Sequence, residues 1–213
     1  AELPFFAQYR DAFEAEGVHV FVSNLASVLV CQDKYAFYEL LENANISGIP
    51  TAKDITELEG SRYVVKENRD SGSRSLGLNL GLEEARAHGG GLKEAIYQPY
   101  IEGVEFSADV YVARGQGVKS IILRTRDKVV DGESQITTVF SNEGVRKVVE
   151  EVAIKIGMEG HGVIQGIMGP EGGVSIIEAN LRFGGASTLS VASGLDTFYW
   201  YFLECAGEDI SGY

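Results

Sequence analysis

The stretch from Val104 to Val112 constrains the fold more than any other part of the chain, because apolar residues occupy every second position along it. A period of two places successive side chains on opposite faces of a β-strand. One face would carry Val104, Phe106, Ala108, Val110 and Val112, and the other would carry Glu105, Ser107, Asp109 and Tyr111. Residues 118–125 form a second apolar run, which we expect to pair with this strand in antiparallel fashion.

The rest of the second half predicts more antiparallel structure. Residues 163–168 and 174–180 are apolar runs joined by a turn that is rich in glycine, a pattern typical of a β-hairpin. Helices are expected over 143–156 and 197–206. Because consecutive strands here are not separated by helices throughout, the order favours an α+β architecture over a doubly wound parallel sheet.

The N-terminal segment predicts a helix over 3–16, an apolar strand at 18–22 and a turn at 23–26. One helix and one strand do not make a domain, so we interpret residues 1–26 as the end of a preceding α/β domain. Ala1 is not a natural start, and we expect the chain to begin inside a longer protein. The other elements expected in the first half are helices at 33–43 and 82–87 and strands at 63–66, 76–80 and 95–100.

Composition excludes several classes of partner. With 213 residues, 45% of them apolar, the chain can bury a sizeable core. Its net charge of −13 opposes binding to nucleic acid, and no apolar run approaches the ~20 residues that span a bilayer. The two cysteines, Cys31 and Cys205, lack metal-ligand spacing and do not resemble a disulfide framework, which favours a reducing cytoplasm. The three histidines, including His161, are scattered and are given no role.

The end of the second hairpin strand carries a candidate metal site. Glu178 and Asn180 would project from the same face of the strand, and Gln165 would lie near Glu178 on the partner strand. Carboxylate and amide oxygens are hard ligands that suit Mg²⁺. Arg182 follows and could pair with a transferring phosphoryl group, and Gly184 with its glycine neighbour allows close approach of a ligand. The alternative is a strand with a solvated polar face.

A lysine at a strand end provides the second candidate feature. Lys66 ends an apolar strand and precedes a Ser/Gly/Arg segment at 71–75, which could close over phosphates that the lysine holds. The segment lacks the P-loop signature and leads into a strand, so it is no P-loop. The alternative is the tip of an ordinary hairpin.

The third feature is the run Gln98-Pro99-Tyr100-Ile101. Pro99 cannot donate a strand hydrogen bond and so marks an edge or a linker, and linkers between subdomains often bind flat ligands. Backbone groups here could bond an adenine edge, and Glu105 could accept hydrogen bonds from ribose hydroxyls. The alternative is an edge strand with exposed acidic residues.

Together these segments resemble the ATP-grasp superfamily, in particular its carbamoyl-phosphate-synthetase-like and carboxylate–amine ligase members. The resemblance covers about residues 31–207, and the matching pieces occur in the order that the family has. It implies two α+β subdomains that grip ATP between them. We place the small lid subdomain at 27–97 and the large subdomain with the magnesium site at 98–213.

The resemblance also implies a role for each matching residue. The phosphates would be contacted by Lys34 and Lys66, and the mobile cover would include Ser71, Gly72 and Ser73. The adenine hinge would consist of Gln98, Pro99, Tyr100 and Ile101, and the ribose would be bound by Glu105. The Mg²⁺ or Mn²⁺ ion would be held by Gln165, Glu178 and Asn180. Arg182 would stabilise the transferring phosphoryl group. Arg124 and Arg126 would face a phosphate or carboxylate substrate.

Four positions depart from the family's pattern. Glu67 stands where proline is frequent, Gln98 stands where glutamate is usual, and Arg74 with Ser75 stands where more glycine is common. These changes concern loop closure and nucleotide selectivity and leave the metal site intact.

The resemblance implies an ATP- and Mg²⁺-dependent ligase of the cytoplasm that activates a carboxylate or bicarbonate as an acyl phosphate for attack by an amine, or less often a thiol. Its partners would be small-molecule carboxylates and amines, with no nucleic acid and no membrane. The sequence leaves a homodimer open. The alternative function is a nucleotide-binding module, or a truncated fragment, without turnover of its own.

Overall fold

A computed structural model describes residues 2–69, 75–130 and 132–212, without the side chain of Glu133. The helices are α1 (Leu3–Gln8), α2 (Arg10–Ala15), α3 (Leu25–Gln32), α4 (Lys34–Glu42), α5 (Leu82–Gly90), α6 (Glu143–Lys155), α7 (Ser187–Ala192) and α8 (Thr197–Cys205), with a 3-10 turn at Ile55–Glu57. The strands are β1 (Tyr63–Glu67), β2 (Gly77–Leu80), β3 (Ala95–Pro99), β4 (Val104–Ala113), β5 (Gly117–Thr125), β6 (Lys128–Val130), β7 (Glu133–Ile136), β8 (Val139–Phe140), β9 (Gly160–Met168) and β10 (Val174–Asn180).

The larger sheet has five antiparallel strands in the order β10-β9-β4-β5-β8. The alternation along β4 predicts its faces correctly, because Phe106, Ala108 and Val110 are fully buried in the main core, where α6 packs. The opposite face differs from a solvated one: Asp109 and Tyr111 are fully buried as well. The C-terminal helix α8 packs on that side, and its Trp200 ring lies 5.4 Å from the Tyr111 ring.

The smaller sheet has three antiparallel strands in the order β2-β1-β3 and packs against α5. Its own core contains Tyr63, Val65 and Ala85. The strand with Lys66 therefore belongs to a sheet separate from that of β4, as the sequence predicts. The boundaries at 27–97 and 98–213 stay a prediction.

The N-terminal segment differs from its sequence prediction. The helix expected over 3–16 is two short helices that meet at Tyr9, and the strand expected at 18–22 is wrong, because that segment is extended without strand pairing. Its apolar side chains pack instead: Val22 lies in the main core and Phe21 stacks on Phe183. The turn expected at 23–26 is wrong in part, because α3 begins there with Asn24 as its cap.

Several short elements escape the sequence analysis. These are α3, α7, the β6–β7 ribbon and β8. Within the part of the chain that the structure describes, no helix is both long enough and apolar enough to span a bilayer.

Candidate functional site

One face of the larger sheet carries a row of polar side chains that come from four adjacent strands. Arg124 of β5 is paired in register with Ser107 of β4, Ser107 with Gln165 of β9, and Gln165 with Glu178 of β10. Residues paired across antiparallel strands point to the same face. The row therefore lies opposite the face that Phe106 and Ala108 bury in the core.

The three predicted metal ligands lie together on this face. Asn180 Nδ2 donates to Glu178 Oε1 at 2.8 Å, which places the two side chains side by side. Gln165 Nε2 donates to Ser107 Oγ at 3.4 Å, so its amide oxygen is not engaged by that contact. Asn180 is paired with Val163, one row further along the same strands. The arrangement offers one carboxylate and two amide groups to a common space.

Lys66 of the smaller sheet lies close enough to this row for its ammonium group to interact electrostatically with the Glu178 carboxylate. Burial lowers the pKa of its ammonium to about 8, with Glu178 and Glu105 opposing the change and the positive charge of Lys34 reinforcing it. Lys34 Nζ donates to the backbone oxygens of Glu67 and Asn68 at 3.3 and 3.2 Å. Two cations thus lie near the end of β1, where the carboxylate of Glu178 is within electrostatic reach.

Asn68 anchors Lys34 at this position. It is fully buried, although the sequence predicts a polar turn from residue 67 onward. Its Oδ1 accepts from the Tyr35 amide at 2.9 Å, and its Nδ2 donates to Asp33 Oδ1 and to Glu94 Oε1 at 3.0 Å each. These bonds tie the beginning of α4 to the end of β1.

The glutamate that departs from the family's proline has a structural use. Glu67 accepts hydrogen bonds from the Lys93 and Glu94 amides at 2.6 and 2.9 Å, so one carboxylate satisfies two backbone donors ahead of β3. Ser71, Gly72 and Ser73, the predicted phosphate cover, lie outside the described residues.

The predicted adenine hinge begins in the last two residues of β3, an edge strand of the smaller sheet, where proline is tolerated. The side chain of Gln98 is buried, and its Nε2 donates to Thr51 Oγ1 at 2.8 Å. The Tyr100 amide donates to the Arg62 oxygen at 2.9 Å. The side-chain donor of Gln98 is therefore already engaged within the smaller sheet.

Arg126 lies just after β5, and within the described part of the chain one of its buried donors has no hydrogen-bond partner. Its side chain is 9% exposed, its Nη2 donates to the Gly132 oxygen at 2.9 Å, and its buried Nε has no hydrogen-bond partner there. The nearest acid is Glu105, whose Oε2 is 3.7 Å from that Nε and whose side chain is half exposed. Arg126 and Glu105 thus line the same part of the sheet.

Arg124 differs from the expectation that it faces a substrate. Its guanidinium is buried, and its Nε donates to Asp109 Oδ2 at 2.7 Å. Arg182, by contrast, is exposed beyond the end of β10, with Nη1 donating to the Phe183 oxygen at 2.9 Å. Of the three arginines, only Arg182 is exposed, whereas Arg126 is largely buried and Arg124 lies inside the protein, where Asp109 neutralises it.

A buried polar cluster that the sequence analysis missed lies beside this row. It consists of Asp109, Arg124, His161, Ser187 and Ser190. Burial alone would raise the pKa of the Asp109 carboxyl, but His161, the charge of Arg124 and the Ser187 hydroxyl lower it to about 2. The available signals were weak: an acid within the strand alternation, and two serines three residues apart on a short helix.

The comparison with protein families decides the classification. The family described as "ATP-grasp in the biosynthetic pathway with Ter operon" matches residues 92–212, more than half of the chain. The chain belongs to this ATP-grasp family. The match includes the three candidate metal ligands and Arg182, and it begins after Lys34 and Lys66.

Solved structures confirm the α+β architecture and the ATP-grasp fold. A biotin carboxylase domain of the 2-oxoglutarate carboxylase from Hydrogenobacter thermophilus, a dimer solved with MgADP, ADP and bicarbonate, matches with a TM-score of 0.78 at 17% identity over 98% of this chain and 52% of that one. Biotin carboxylase from Campylobacter jejuni gives 0.80 at 14% identity over 98% and 54%. An L-amino acid ligase from Bacillus licheniformis gives 0.68 at 18% identity over 88% and 48%. The ATP-grasp chain thus spans about half the length of these proteins.

Proposed function

We propose that this ATP-grasp chain activates a carboxylate or bicarbonate as an acyl phosphate, at the expense of ATP and with Mg²⁺, for attack by an amine. The observation that carries the proposal is the common face of Glu178, Asn180 and Gln165, with Lys66 within electrostatic reach. A merely solvated strand face would not need a lysine from another sheet beside its carboxylate.

The donor set suits Mg²⁺ that is shared with phosphates. Glu178 provides a charged oxygen, and Asn180 and Gln165 provide neutral amide oxygens, all hard ligands. One carboxylate leaves coordination positions for phosphate oxygens. Bound there, the cation would neutralise charge on the phosphates and polarise them toward transfer.

The remaining residues would position ATP. Lys34 and Lys66 would bind the phosphates as point charges, with residues 71–73 as the cover, while the hinge at 98–101 would receive the adenine and Glu105 the ribose. Such local cations matter because the chain has a net charge of −13 and would otherwise repel a nucleotide.

Two arginines would serve the reacting groups. The buried Nε of Arg126 has no hydrogen-bond partner among the described residues and would donate to an oxyanion of the substrate, and exposed Arg182 could stabilise the phosphoryl group in transfer. In this mechanism an oxygen of the carboxylate attacks the γ-phosphorus, ADP leaves, and the amine then displaces phosphate from the acyl carbon. The protein contributes positioning and charge neutralisation rather than covalent chemistry.

A second candidate is a nucleotide-binding module without turnover, which the coverage of only about half of the similar structures favours. Such a module would bind MgATP and release no ADP with any carboxylate.

The test is a screen for ADP release with MgATP, a panel of carboxylates that includes bicarbonate and amino acids, and a panel of amines. We expect release that depends on one carboxylate and that falls by roughly 10²- to 10³-fold in Glu178→Gln. The matched control is Glu171→Gln, at an exposed acid in the turn of the same hairpin. This substitution should leave the rate of ADP release unchanged. Binding of MgATP without ADP release would favour the module, and equal rates for both variants would contradict the proposed site.

A further inference from the structure

The loop that carries Arg182 is hydrogen-bonded to the buried polar cluster through Ser187. We call residues 181–186 the Arg182 loop; it connects the end of β10 to the beginning of α7. The Gly184 amide donates to Ser187 Oγ at 2.9 Å, and the Ser187 hydroxyl in turn donates to Asp109 Oδ1. A two-step chain of hydrogen bonds thus joins the loop backbone to a carboxylate of the central strand β4.

The other contacts of Asp109 fix the carboxylate itself. Its Oδ2 accepts from Arg124 Nε at 2.7 Å and from Ser190 Oγ at 2.8 Å, and His161 Nε2 lies 3.3 Å from its Oδ1. Asp109 is fully buried and the partners are nearly so. With groups from β4, β5, β9 and α7 around it, the carboxylate has little freedom to rotate.

The loop is also held from the side by aromatic stacking. The Phe183 ring stacks on the His161 ring at 4.0 Å, and it lies between the rings of Phe21 and Phe198 at 5.7 and 5.0 Å. Since His161 also contacts Asp109, the stack and the hydrogen-bond chain meet at one residue. The backbone of Arg182 is therefore held on both sides. The ring of Phe183 follows it, and its own amide donates a hydrogen bond to the Asn180 oxygen at 2.8 Å.

Space around Gly184 is limited in the same way. A Cβ at this position would lie 3.3 Å from Val163 Cγ2, 3.4 Å from Ser187 Oγ and 3.5 Å from Arg124 Nη2. The loop backbone thus rests directly on the cluster and on strand β9.

Stability alone does not account for such a cluster. A buried ion pair often stabilises no more than well-packed apolar residues of the same volume, because both charges lose their hydration. A buried carboxylate whose two oxygens both accept hydrogen bonds, as those of Asp109 do, nevertheless imposes one geometry on the groups that it joins. Here the joined group is the backbone two residues after Arg182.

We infer that Asp109 and Ser187 are positioning residues, which act through Gly184 to hold the Arg182 loop so that Arg182 meets the phosphoryl group in transfer. The inference rests on the proposed function, because it takes Arg182 as the group that contacts the phosphoryl. It adds a role for buried residues that would touch neither nucleotide nor substrate.

The test compares two ligands: MgADP alone, and MgADP with aluminium fluoride, which mimics a phosphoryl group in transfer. The quantity of interest is the gain in affinity that aluminium fluoride gives, measured by calorimetry or by fluorescence titration. We expect Ser187→Ala to keep the MgADP affinity within about twofold and to reduce the gain by roughly five- to tenfold, because the variant lacks the hydroxyl that links Gly184 to Asp109. Ser193→Ala, an exposed serine just after α7, is the matched control and should leave both unchanged.

A double-mutant cycle separates positioning from general damage. Arg182→Ala should abolish the gain, and Ser187→Ala together with Arg182→Ala should lose no more than Arg182→Ala alone. Asp109→Asn, if it folds by circular dichroism, should behave as Ser187→Ala does.

Two results for Ser187→Ala would overturn the inference while leaving the proposed function intact. In the first, the gain in affinity from aluminium fluoride is unchanged. In the second, the variant loses MgADP affinity by the same factor as it loses that gain. A wild-type protein without any gain, or a gain that survives Arg182→Ala, would instead contradict the proposed role of Arg182 and the inference with it.

Discussion

Lys66 illustrates how one half-buried cation can set the pH range of an anion site. Burial lowers its pKa to about 8, so it is largely charged at pH 7 and largely neutral at pH 9. A lysine that binds phosphate is useful only in its charged form. The affinity for a nucleotide should therefore fall as the pH rises through about 8.

This gives a prediction for Lys66→Arg, because arginine stays charged throughout this range. The affinity of the wild-type chain for MgADP should fall between pH 7 and pH 9, and the variant should show a flatter profile. Calorimetry at a series of pH values measures both. Lys93→Arg, at an exposed lysine just before β3 of the smaller sheet, should keep the wild-type profile. Parallel profiles for Lys66→Arg and wild type would show that Lys66 does not bind the phosphates.

At the scale of elements, Gly103 allows the chain after the predicted hinge to lie close to the larger sheet. Gly103 lies between the hinge and β4, and a Cβ there would lie 2.4 Å from the Met168 oxygen and 2.5 Å from Ile167 Cγ2. A backbone oxygen in a paired strand cannot move aside as a flexible side chain can. The hinge thus follows β9 closely only because residue 103 has no side chain.

We predict that Gly103→Ala destabilises the fold by about 1–3 kcal/mol, since the added methyl overpacks against backbone. Gly173→Ala is the matched control, because a Cβ at that turn meets nothing within 4 Å. Its effect should stay within about 0.5 kcal/mol. Urea unfolding followed by circular dichroism gives both values, and equal midpoints would refute the close contact at Gly103.

The elements that the sequence predicts well are those whose pattern is local. The alternation along β4 and the paired runs of β9 and β10 place Gln165, Glu178 and Asn180 on one face without any tertiary information. Two failures have the opposite cause. The apolar run at 18–22 resembles a strand but finds no pairing partner in the described structure, and α3 is preceded by polar residues that resemble a turn.

The missed part of the candidate site depends on distant contacts. Asp109 has the spacing of a solvated strand residue, and it is buried by side chains from α7, β5 and β9. His161 was set aside because it has no ligand spacing, yet its ring stacks on Phe183 across 22 residues of sequence. A local sequence pattern does not predict the burial of a residue whose contacts come from other helices and strands.

At the scale of the whole molecule, the charge distribution favours one location for an anionic ligand. The chain has a net charge of −13, but Lys34, Lys66, Arg126 and Arg182 belong to the proposed site. A single carboxylate, Glu178, joins the amides of Asn180 and Gln165 there. Binding of ATP should therefore depend on a divalent cation, and this dependence should pass through Glu178.

The most direct test measures calorimetrically the binding of a non-hydrolysable ATP analogue, with a β,γ-imido bridge, to the wild-type chain and to Glu178→Gln, with and without Mg²⁺. The account predicts that Mg²⁺ strengthens binding to the wild-type chain and has much less effect on the variant, which stays folded by circular dichroism. Binding to both proteins with the same response to Mg²⁺, or no binding to the wild-type chain, would contradict it.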